Sequence, residues 1–357
     1  MTFTGLAKML LMSNIFIFGT FQTCESSVSK FPGYTCVKPE SIGKGSFGTV
    51  YLVEKDKTTF VMKEALFSQG ASQKTETEIL KELQGSQYII QLFDSFQDAN
   101  VEIQILEYAE KGSLTSFRSA EKKPFAENEF LLNMLKDVIL GVDFIHSKSW
   151  VWLDLKPDNM VVKQDNSVRL IDFGISMPVN SSGPPSGTLI FLDPSFFGNL
   201  IVKYEPANDI YSFGVSAYGI AFNKLPFYNF MTLFDDIKGD GVFILPKGMS
   251  KSLALVIDGC MKFKPADRLK VDEIKTLIQK GLNEDKDAKL EYNYYGNLHI
   301  PLDLKNPQSF LYRNYEGIRK SAYYFLSVIC VAVMVLGLVY KGKGSGQDQN
   351  IPMFTAA

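Results

Sequence analysis

The chain has 357 residues, of which 46% are hydrophobic and 21% charged, and this suits one large globular domain or two modest ones with appendages. A formal net charge of -2 excludes the strong basic excess of a nucleic-acid-binding protein, so no nucleic acid is expected as a partner. Two histidines exclude a histidine-rich metal site, and four cysteines without a CxxC pair argue against a zinc site or a disulfide scaffold.

Residues 1–35 are interpreted as an N-terminal apolar segment. Within them, residues 9–21 read MLLMSNIFIFGTF, which has the length of a signal-peptide hydrophobic region and is too short to span a bilayer comfortably. Ser13 and Asn14 interrupt this stretch, and no clean small-residue cleavage site follows it. A secretory signal and a simple apolar flank therefore both stay open.

Residues 36–283 are predicted to form one domain. Its early part is rich in β-formers, as in TVYLVEK and TTFVMKE, and turn residues bracket both stretches. The stretch SQKTETEILKELQ predicts a charged helix with Ile79, Leu80 and Leu83 on one face. After EYAEKGSL the pattern becomes mostly helical, with NEFLLNMLKDVILGVDFIHS as the clearest case. A β-rich start followed by a larger helical body predicts an α+β fold of two lobes.

Three segments follow this domain. Residues 284–321 are polar and rich in tyrosine, and they are interpreted as a linker. Residues 322–340 carry no charge, have tyrosines at both ends, and are long enough at about 1.5 Å per residue to cross the hydrocarbon core. They predict a single transmembrane helix rather than a buried core helix, so a membrane is an expected partner. Residues 341–357 form a short tail.

The stretch SIGKGSFGTVYLV places Gly43, Gly45 and Gly48 in G-x-G-x-x-G spacing. Glycine lets a backbone approach phosphate groups closely, because no Cβ obstructs the amide groups. A dinucleotide-binding loop with this spacing would open a helix. Here β-formers continue directly from Thr49 and Val50, so the glycines are predicted to join two strands in a hairpin that covers a nucleotide.

A lysine and a carboxylate are predicted to form a phosphate-binding pair. Lys63 ends the apolar stretch FVMK, where its point charge can pair with phosphate oxygens. It needs a carboxylate to hold it in place. Glu76, in the helix that follows, is the best-placed candidate, and Glu78 is the alternative.

Two acidic motifs complete the set. DLKPDN contains Asp154, Lys156 and Asn159, and LIDFG contains Asp172. Together with the glycine motif and the lysine pair, they occur in one order and at compatible spacing. The chain therefore resembles the eukaryotic-type protein kinases over residues 36–283, and the DLKPDN form resembles the serine/threonine kinases. This resemblance implies a bilobal kinase fold with a β-rich N-terminal lobe and a mainly helical C-terminal lobe.

The resemblance also implies how the site works. Asp154 would orient the attacking hydroxyl and accept its proton, Lys156 would steady the transferred phosphoryl group, and Asn159 and Asp172 would bind Mg²⁺. ATP would be bound by the glycine loop, the lysine pair and the hinge stretch ILEYAEKGSL, through Ile42, Gly43, Lys44, Gly45, Ser46, Phe47, Gly48, Val50, Lys63, Glu76, Glu107 and Ala109. ATP and Mg²⁺ are thus the expected nucleotide and cofactor, and proteins are the expected substrates.

Two departures from the family pattern lie just before the catalytic aspartate. Leu153 stands where the family has an arginine that grips a phosphate on the activation segment, so phosphorylation of that segment is not expected to be needed. Trp152 stands where the family has a histidine that packs under Phe173. A tryptophan supplies more apolar area, and its indole N–H needs a partner if it is buried, so a modified but functional apolar stack is expected.

A third departure lies at the end of the activation segment. Ser195 replaces the glutamate that pairs, in the family, with the arginine matched by Arg268. An arginine buried without a partner would cost several kcal/mol, so either Asp193 replaces that glutamate or Arg268 reaches solvent. Two further residues resemble family positions: Thr188 is expected to contact the catalytic loop, and Asp209 is expected to brace it.

The expected function is a membrane-anchored serine/threonine kinase that transfers the ATP γ-phosphoryl group to protein hydroxyls. Two alternatives are kept: a pseudokinase that serves as a nucleotide-binding scaffold or signalling adaptor, and a small-molecule kinase of the same fold. The basic residues around 322–340 and the supply of ATP favour a cytosolic domain, as does a sequon at Asn180 whose glycan would obstruct peptide entry. A true signal peptide at 9–21 would place the domain in the lumen instead.

Overall fold

The computed structural model describes residues 23–45, 48–66, 74–98, 101–120, 129–196, 199–223, 242–245, 249–283 and 294–297. Several sequence-based predictions lie outside these ranges: those for 9–21, for Ser46 and Phe47, for most of the linker, for the membrane span 322–340 and for the tail 341–357. Within the described ranges, no helix is long and apolar enough to cross a membrane.

The N-terminal lobe is built on an antiparallel sheet. Its strands are β1 (Thr35–Cys36), β2 (Gly43–Gly45), β3 (Gly48–Lys55), β4 (Thr58–Leu66), β5 (Leu92–Asp98) and β6 (Val101–Glu107). They are ordered β1-β3-β4-β6-β5, and β2 pairs with β3 in the hairpin predicted from the glycine spacing. Buried and partly exposed residues alternate along β3, because successive side chains of a strand point to opposite faces. The two predicted strands are therefore confirmed.

Residues 23–35 belong to this lobe, although the sequence assigned them to a separate apolar segment. Helix α1 (Cys24–Val28) begins after Thr23, whose hydroxyl accepts a hydrogen bond from the Ser26 amide. Val28 and Phe31 are buried in an apolar cluster on one face of the sheet. That cluster also contains Tyr51, Val53, Met62, Ile103 and Ile105.

A disulfide joins Cys24 of α1 to Cys36 of β1, with Cα atoms 6.2 Å apart. The expectation that the cysteines form no disulfide framework is therefore wrong for this pair. Their separation of twelve residues matches no recognisable motif. The reversal of the chain after α1 brings them together, and that reversal follows from packing on the sheet rather than from local sequence.

Helix α2 (Glu76–Glu82) connects the sheet to the cleft between the lobes. Thr75 and Glu78 form a capping box, in which each side chain accepts a hydrogen bond from the backbone N–H of the other. Because Glu78 is used in the cap, Glu76 is the carboxylate that remains to face β4. The predicted apolar face is buried and consists of Ile79, Leu80 and Leu83.

The C-terminal lobe is mainly helical. Its helices are α3 (Leu114–Ala120), α4 (Glu129–Ser147), α5 (Pro206–Phe222), α6 (Lys251–Cys260) and α7 (Val271–Asn283). Helix α4 packs on α7, and α5 packs on α6. Since α5 is buried along most of its length, it forms the centre of this lobe.

Short antiparallel strand pairs position the loops of the cleft. They are formed by β7 (Trp150–Val151) with β10 (Met177–Pro178), β8 (Met160–Val162) with β9 (Val168–Leu170), and β11 (Ser182–Gly183) with β12 (Val202–Lys203). Strand β13 (Val242–Leu245) pairs with β14 (Tyr294–Asn297). Part of the predicted linker 284–321 is thus a strand rather than a free connection. The α+β architecture with a β-rich first lobe and a helical second lobe is confirmed.

Candidate active site

The glycine hairpin covers one side of a cleft. Gly48, at the start of β3, has a φ of +129°, and a Cβ atom there would lie 2.1 Å from the Glu64 carbonyl oxygen. No other residue type fits that position without moving the backbone of β4. Opposite Gly48 in the hairpin lies Gly45. The sequence therefore places glycine where β4 leaves no room for a side chain on β3.

Below the hairpin, Lys63 is held by two carboxylates. Its Nζ atom lies 2.7 Å and 2.9 Å from the two carboxylate oxygens of Glu76, and 3.4 Å from Asp172 Oδ1. Burial alone would lower the pKa of Lys63, but the charges of Glu76 and Asp172 outweigh it and raise the pKa. The ammonium group is therefore charged at neutral pH. The same Glu76 carboxylate accepts a bond from the Phe173 amide at 3.4 Å, so α2 and the DFG motif are joined.

The pKa of Asp172 is raised above its ordinary value. Burial raises its pKa, the Lys63 charge opposes this, and the carboxylates of Glu76 and Asp154 raise it further. Three carboxylates thus face two lysine ammonium groups, those of Lys63 and Lys156, in this region. Such an excess of carboxylate favours the binding of a cation.

The catalytic loop holds Asp154 in a closed network. Lys156 Nζ donates to Asp154 Oδ2 at 2.7 Å and to Thr188 Oγ1 at 2.6 Å, and Thr188 donates to Asp154 Oδ1 at 2.6 Å. Asn159 Nδ2 donates to Asp154 Oδ2 at 2.7 Å and to the Asp154 carbonyl at 3.0 Å. The Asn159 carbonyl accepts from the Ile171 amide at 3.0 Å, which places the loop beside Asp172. The structure thus brings together the four residues predicted for catalysis and metal binding.

A cavity of about 420 Å³ lies between the hairpin and the second lobe. Most residues predicted to bind nucleotide line it: Ile42, Gly43, Lys44, Gly48, Val50, Lys63, Glu76, Glu107 and Ala109. Apolar side chains complete its walls: Leu80, from the predicted apolar helix face, and Val61, Ile90, Val161 and Ile171, which the sequence did not single out. Val61 lies two residues before Lys63 on the same strand, and alternation along that strand could have identified it.

Trp152 replaces the family histidine by packing and by hydrogen bonding. Its ring centroid lies 5.9 Å from that of Phe173, and Nε1–H donates to the Asp172 carbonyl at 2.9 Å. Asp209, fully buried in α5, accepts the Trp152 and Leu153 amides at 2.8 Å each, and its carboxylate also lies 2.8 Å from His146 Nε2. The stack is therefore anchored to the central helix, and the indole N–H has a partner.

Two substitutions of Trp152 by smaller aromatic residues test the role of the hydrogen bond from its indole N–H to the Asp172 carbonyl. We expect Trp152→Phe to destabilise the protein by about 1–3 kcal/mol more than Trp152→His, because phenylalanine leaves the Asp172 carbonyl without its donor whereas an imidazole can supply one. The turnover number should fall in the same order, since this carbonyl precedes Phe173 of the DFG motif. Denaturant unfolding and steady-state kinetics on both variants measure this difference. Equal effects would show that the bond has no role.

Arg268 forms an ion pair with Asp193, which the sequence analysis gave as one possible replacement for the family glutamate. Both side chains are 1% exposed, and the guanidinium spans the two carboxylate oxygens, with Nη2 2.7 Å from Oδ1. The remaining donors of Arg268 reach the backbone carbonyls of Lys262, Ala207 and Phe263. Asp193 also accepts from the Asn208 amide group and the Ser195 backbone N–H. Asp193, two residues before Ser195, is therefore the counter-ion of Arg268, and the guanidinium does not depend on solvent.

Apolar packing and strand pairing hold the activation segment. Leu153, at the position of the phosphate-gripping arginine, is buried in a cluster with Val151, Leu192, Phe196, Val202 and Tyr204. Tyr204 is fully buried and donates its hydroxyl to the Pro184 carbonyl, while β11 pairs with β12. A Cβ on Gly183 would lie 2.5 Å from the Tyr204 hydroxyl oxygen, so glycine is required beside it. The sequence analysis did not identify Tyr204, because its role depends on contacts distant in sequence.

Loss of the Tyr204 hydroxyl should loosen this segment. We expect Tyr204→Phe to lower the free energy of unfolding by about 1 kcal/mol, because the Pro184 carbonyl loses its hydrogen-bond donor. Amide hydrogen exchange in residues 181–186 should become faster for the same reason. Tyr88→Phe is the matched control, since its hydroxyl accepts a bond from Gln87 at the surface. Unchanged exchange in the Tyr204 variant would contradict a clamping role for this residue.

Comparison with known proteins agrees with this geometry. A family model described as a protein kinase domain matches residues 36–277. Serine/threonine-protein kinase ppk34 of Schizosaccharomyces pombe is 32% identical over 178 residues, which cover 48% of this chain and 49% of that protein. Receptor-interacting serine/threonine-protein kinase 3 of Homo sapiens is 30% identical over 197 residues, covering 51% and 37% respectively. Aurora kinase of Patiria pectinifera is 27% identical over 245 residues, covering 65% and 59%.

The chain spans about half or less of the length of the first two relatives. The family model, by contrast, extends over well more than half of this chain and includes the glycine hairpin, the lysine pair, the catalytic loop and the DFG motif. The chain belongs to the protein kinase family.

Proposed function

We propose that this protein is a membrane-anchored serine/threonine protein kinase that transfers the γ-phosphoryl group of ATP to hydroxyl groups of protein substrates. The observation that carries the proposal is the network around Asp154, which is already closed by Lys156, Asn159 and Thr188. A scaffold that only binds nucleotide has no need of a carboxylate oriented in this way. The names of the curated relatives support the serine/threonine class.

Asp154 is suited to accept a proton. An ionised carboxylate has about four lone-pair positions, and three of them are used by donors from Thr188, Lys156 and Asn159 among the described residues. The position left on Oδ1 can accept a hydrogen bond from a substrate hydroxyl. Asp154 would then orient that hydroxyl and take its proton as the oxygen attacks phosphorus.

The residues present fit a magnesium–nucleotide complex. Both N–H groups of the Asn159 amide are used on Asp154, so its amide oxygen is the atom it can offer to a cation. This oxygen and the Asp172 carboxylate are hard ligands of the kind that Mg²⁺ prefers. Lys63, held by Glu76, would bind phosphate oxygens, and the apolar walls of the cavity would enclose the base. When bound, Mg²⁺ and ATP supply the phosphoryl group and neutralise its charge.

Leu153, which stands where the family has an arginine, supports the proposal that the enzyme does not depend on phosphorylation of its activation segment. The cluster around Leu153 and Tyr204, and the pairing of β11 with β12, hold that segment in place of an arginine–phosphate pair. The paired Asp193 and Arg268 support the segment's end. The floor on which a peptide would dock is therefore formed by contacts that need no modification.

Membrane anchoring rests on the sequence alone, through residues 322–340. Their length, lack of charge and flanking tyrosines suit a single span. We expect the full chain to stay in the membrane pellet after a wash at alkaline pH. A chain truncated after residue 321 should be released by the same wash. Release of the full chain would contradict the anchor.

The reaction is tested by giving the full chain, in detergent, radiolabelled ATP, Mg²⁺ and a mixture of generic protein substrates. Acid hydrolysis of the labelled protein should yield phosphoserine and phosphothreonine and no phosphotyrosine. Label confined to phosphotyrosine would contradict the proposed residue class. Label in added small metabolites with none in protein would favour the small-molecule kinase instead.

A further inference from the structure

The disulfide between Cys24 and Cys36 is an integral part of the catalytic domain. Cys24 is fully buried and belongs to the apolar cluster on the N-terminal sheet. The helix that carries it is tied to the sheet a second time, because Ser27 Oγ donates to Glu64 Oε2 at 2.6 Å. Glu64 follows Lys63 on β4. The crosslink therefore lies in the same sheet as the phosphate-binding lysine.

Such a crosslink indicates where the domain folds. Structural disulfides form and persist in oxidising compartments and are rare in the cytosol, where thiols are kept reduced. Cys24 is fully buried and Cys36 is half-buried, so access of external thiols to the Cys24 sulfur atom, which exchange requires, is blocked. Within the described residues the remaining cysteine, Cys260, is free and fully buried, so this part of the chain exposes no reactive thiol.

A second feature points to the same compartment. Asn180-Ser181-Ser182 is the one N-x-S/T sequence in the chain. Asn180 is exposed and is the second residue after β10, with a φ of +67° that is typical of a turn. Its backbone N–H is bonded to the Tyr204 carbonyl at 2.9 Å, which fixes the turn on the second lobe. An exposed asparagine in a surface turn is the usual setting of an N-linked glycan.

We propose that the catalytic domain resides on the oxidising, extracytoplasmic side of its membrane, and that Asn180 is an N-glycosylation site there. The thiols of Cys24 and Cys36 lose two protons and two electrons to the disulfide of a folding oxidoreductase, which is reduced to a dithiol. The Asn180 amide nitrogen forms a bond to the first sugar carbon of a lipid-linked oligosaccharide. That carbon's bond to the lipid diphosphate breaks, and the amide proton leaves.

This proposal reverses the cytosolic location favoured by the sequence, and it agrees with the alternative in which residues 9–21 are a signal peptide. It does not depend on kinase activity. Taken with the proposed function, it restricts the substrates to proteins of the secretory pathway or the cell surface, and it requires the glycan on the exposed Asn180 turn to leave the peptide path open, contrary to the expectation from the sequence. The tests below measure thiols and glycans, so their outcome is separate from that of any activity assay.

The thiol test counts free cysteines in the full chain expressed in eukaryotic cells. Acid quenching followed by denaturation and reaction with a maleimide polymer should leave Cys24 and Cys36 unmodified until a reductant is added, which gives two further additions. Cys260→Ala is the matched control. It should lower the number of modified cysteines by one both with and without reductant, so the difference of two between the two conditions should remain. The Cys24→Ser variant should make Cys36 reactive without reductant. Modification of all four cysteines without reductant would overturn the proposal.

The glycan test uses the mobility of the full chain before and after treatment with a peptide N-glycosidase. The wild-type chain should lose one glycan. Ser182→Ala should carry none, and Ser182→Thr should keep it, since threonine also completes the acceptor sequence. These two variants leave the backbone of Asn180 unchanged, which a substitution at its positive φ would not.

A second, engineered glycosylation sequence tests the extracytoplasmic location separately from the assignment of Asn180. Lys57→Asn creates an acceptor sequence with Thr58 and Thr59 in the exposed turn between β3 and β4, where Lys57 has a φ of +63° that asparagine tolerates. This variant should carry two glycans. One glycan in this variant and none in the wild type would overturn the assignment of Asn180. No glycan in either chain would overturn the extracytoplasmic location.

Discussion

Replacement of Asp154 by asparagine should lower the turnover number about 10²–10⁴-fold and leave nucleotide affinity nearly unchanged. An asparagine amide cannot take the proton of a substrate hydroxyl. It would also turn an NH₂ group toward Lys156, Asn159 or Thr188, whose donors now point at the carboxylate. Nucleotide affinity should persist, because Asp154 is not among the residues that line the cavity. Single-turnover phosphoryl transfer and equilibrium nucleotide binding measure the two quantities.

The matched control for this substitution is Asp158→Asn. Asp158 lies in the same DLKPDN loop but is exposed, so its loss should change turnover by less than about twofold. A turnover number in Asp154→Asn close to that of Asp158→Asn would contradict the assignment of Asp154 as the proton acceptor.

Removal of the Asp193 carboxylate should have the largest effect on stability. We expect Asp193→Ala to lower the free energy of unfolding by about 3–5 kcal/mol, because it leaves the buried Arg268 guanidinium without its counter-ion. The substitution also leaves the Asn208 amide group and the Ser195 backbone N–H without their acceptor. Urea unfolding followed by fluorescence measures the change.

The double variant Asp193→Ala, Arg268→Met separates the buried charge from the lost contacts. Removing both charges should recover a large part of the stability, since an unpaired buried ion costs more than an apolar replacement of the pair. A double variant that is less stable than Asp193→Ala would show that Arg268 stabilises the fold through its bonds to backbone carbonyls alone. The single variant Arg268→Met, which keeps Asp193, should also be less stable than the wild type, because it leaves the buried Asp193 carboxylate without its counter-ion.

Local pattern and spacing predicted the parts of the site that lie on single elements. The glycine hairpin follows from β-formers on its C-terminal side, and the buried face of α2 follows from the spacing of Ile79, Leu80 and Leu83. The choice of Glu76 over Glu78 agrees with the structure for a reason that the sequence also contains. Thr75 precedes Glu78 at the spacing of a capping box, which assigns that carboxylate to the helix end.

Contacts between distant residues were harder to predict. The pairing of Arg268 with Asp193 was one of two open outcomes, because whether a buried arginine finds a partner depends on where two segments meet. Neither the disulfide nor the clamp at Tyr204 could be predicted, since each requires a chain reversal that no local periodicity encodes. Buried partners of this kind follow from packing, and packing becomes visible in three dimensions.

The most direct test of the central claim is to measure nucleotide binding and phosphoryl transfer on one preparation of the full chain with Mg²⁺. An active protein kinase of this family should bind ATP in the cavity below the glycine hairpin and transfer label to protein serine and threonine. Saturable ATP binding with no transfer to any protein substrate would contradict the claim and would instead indicate a nucleotide-binding scaffold.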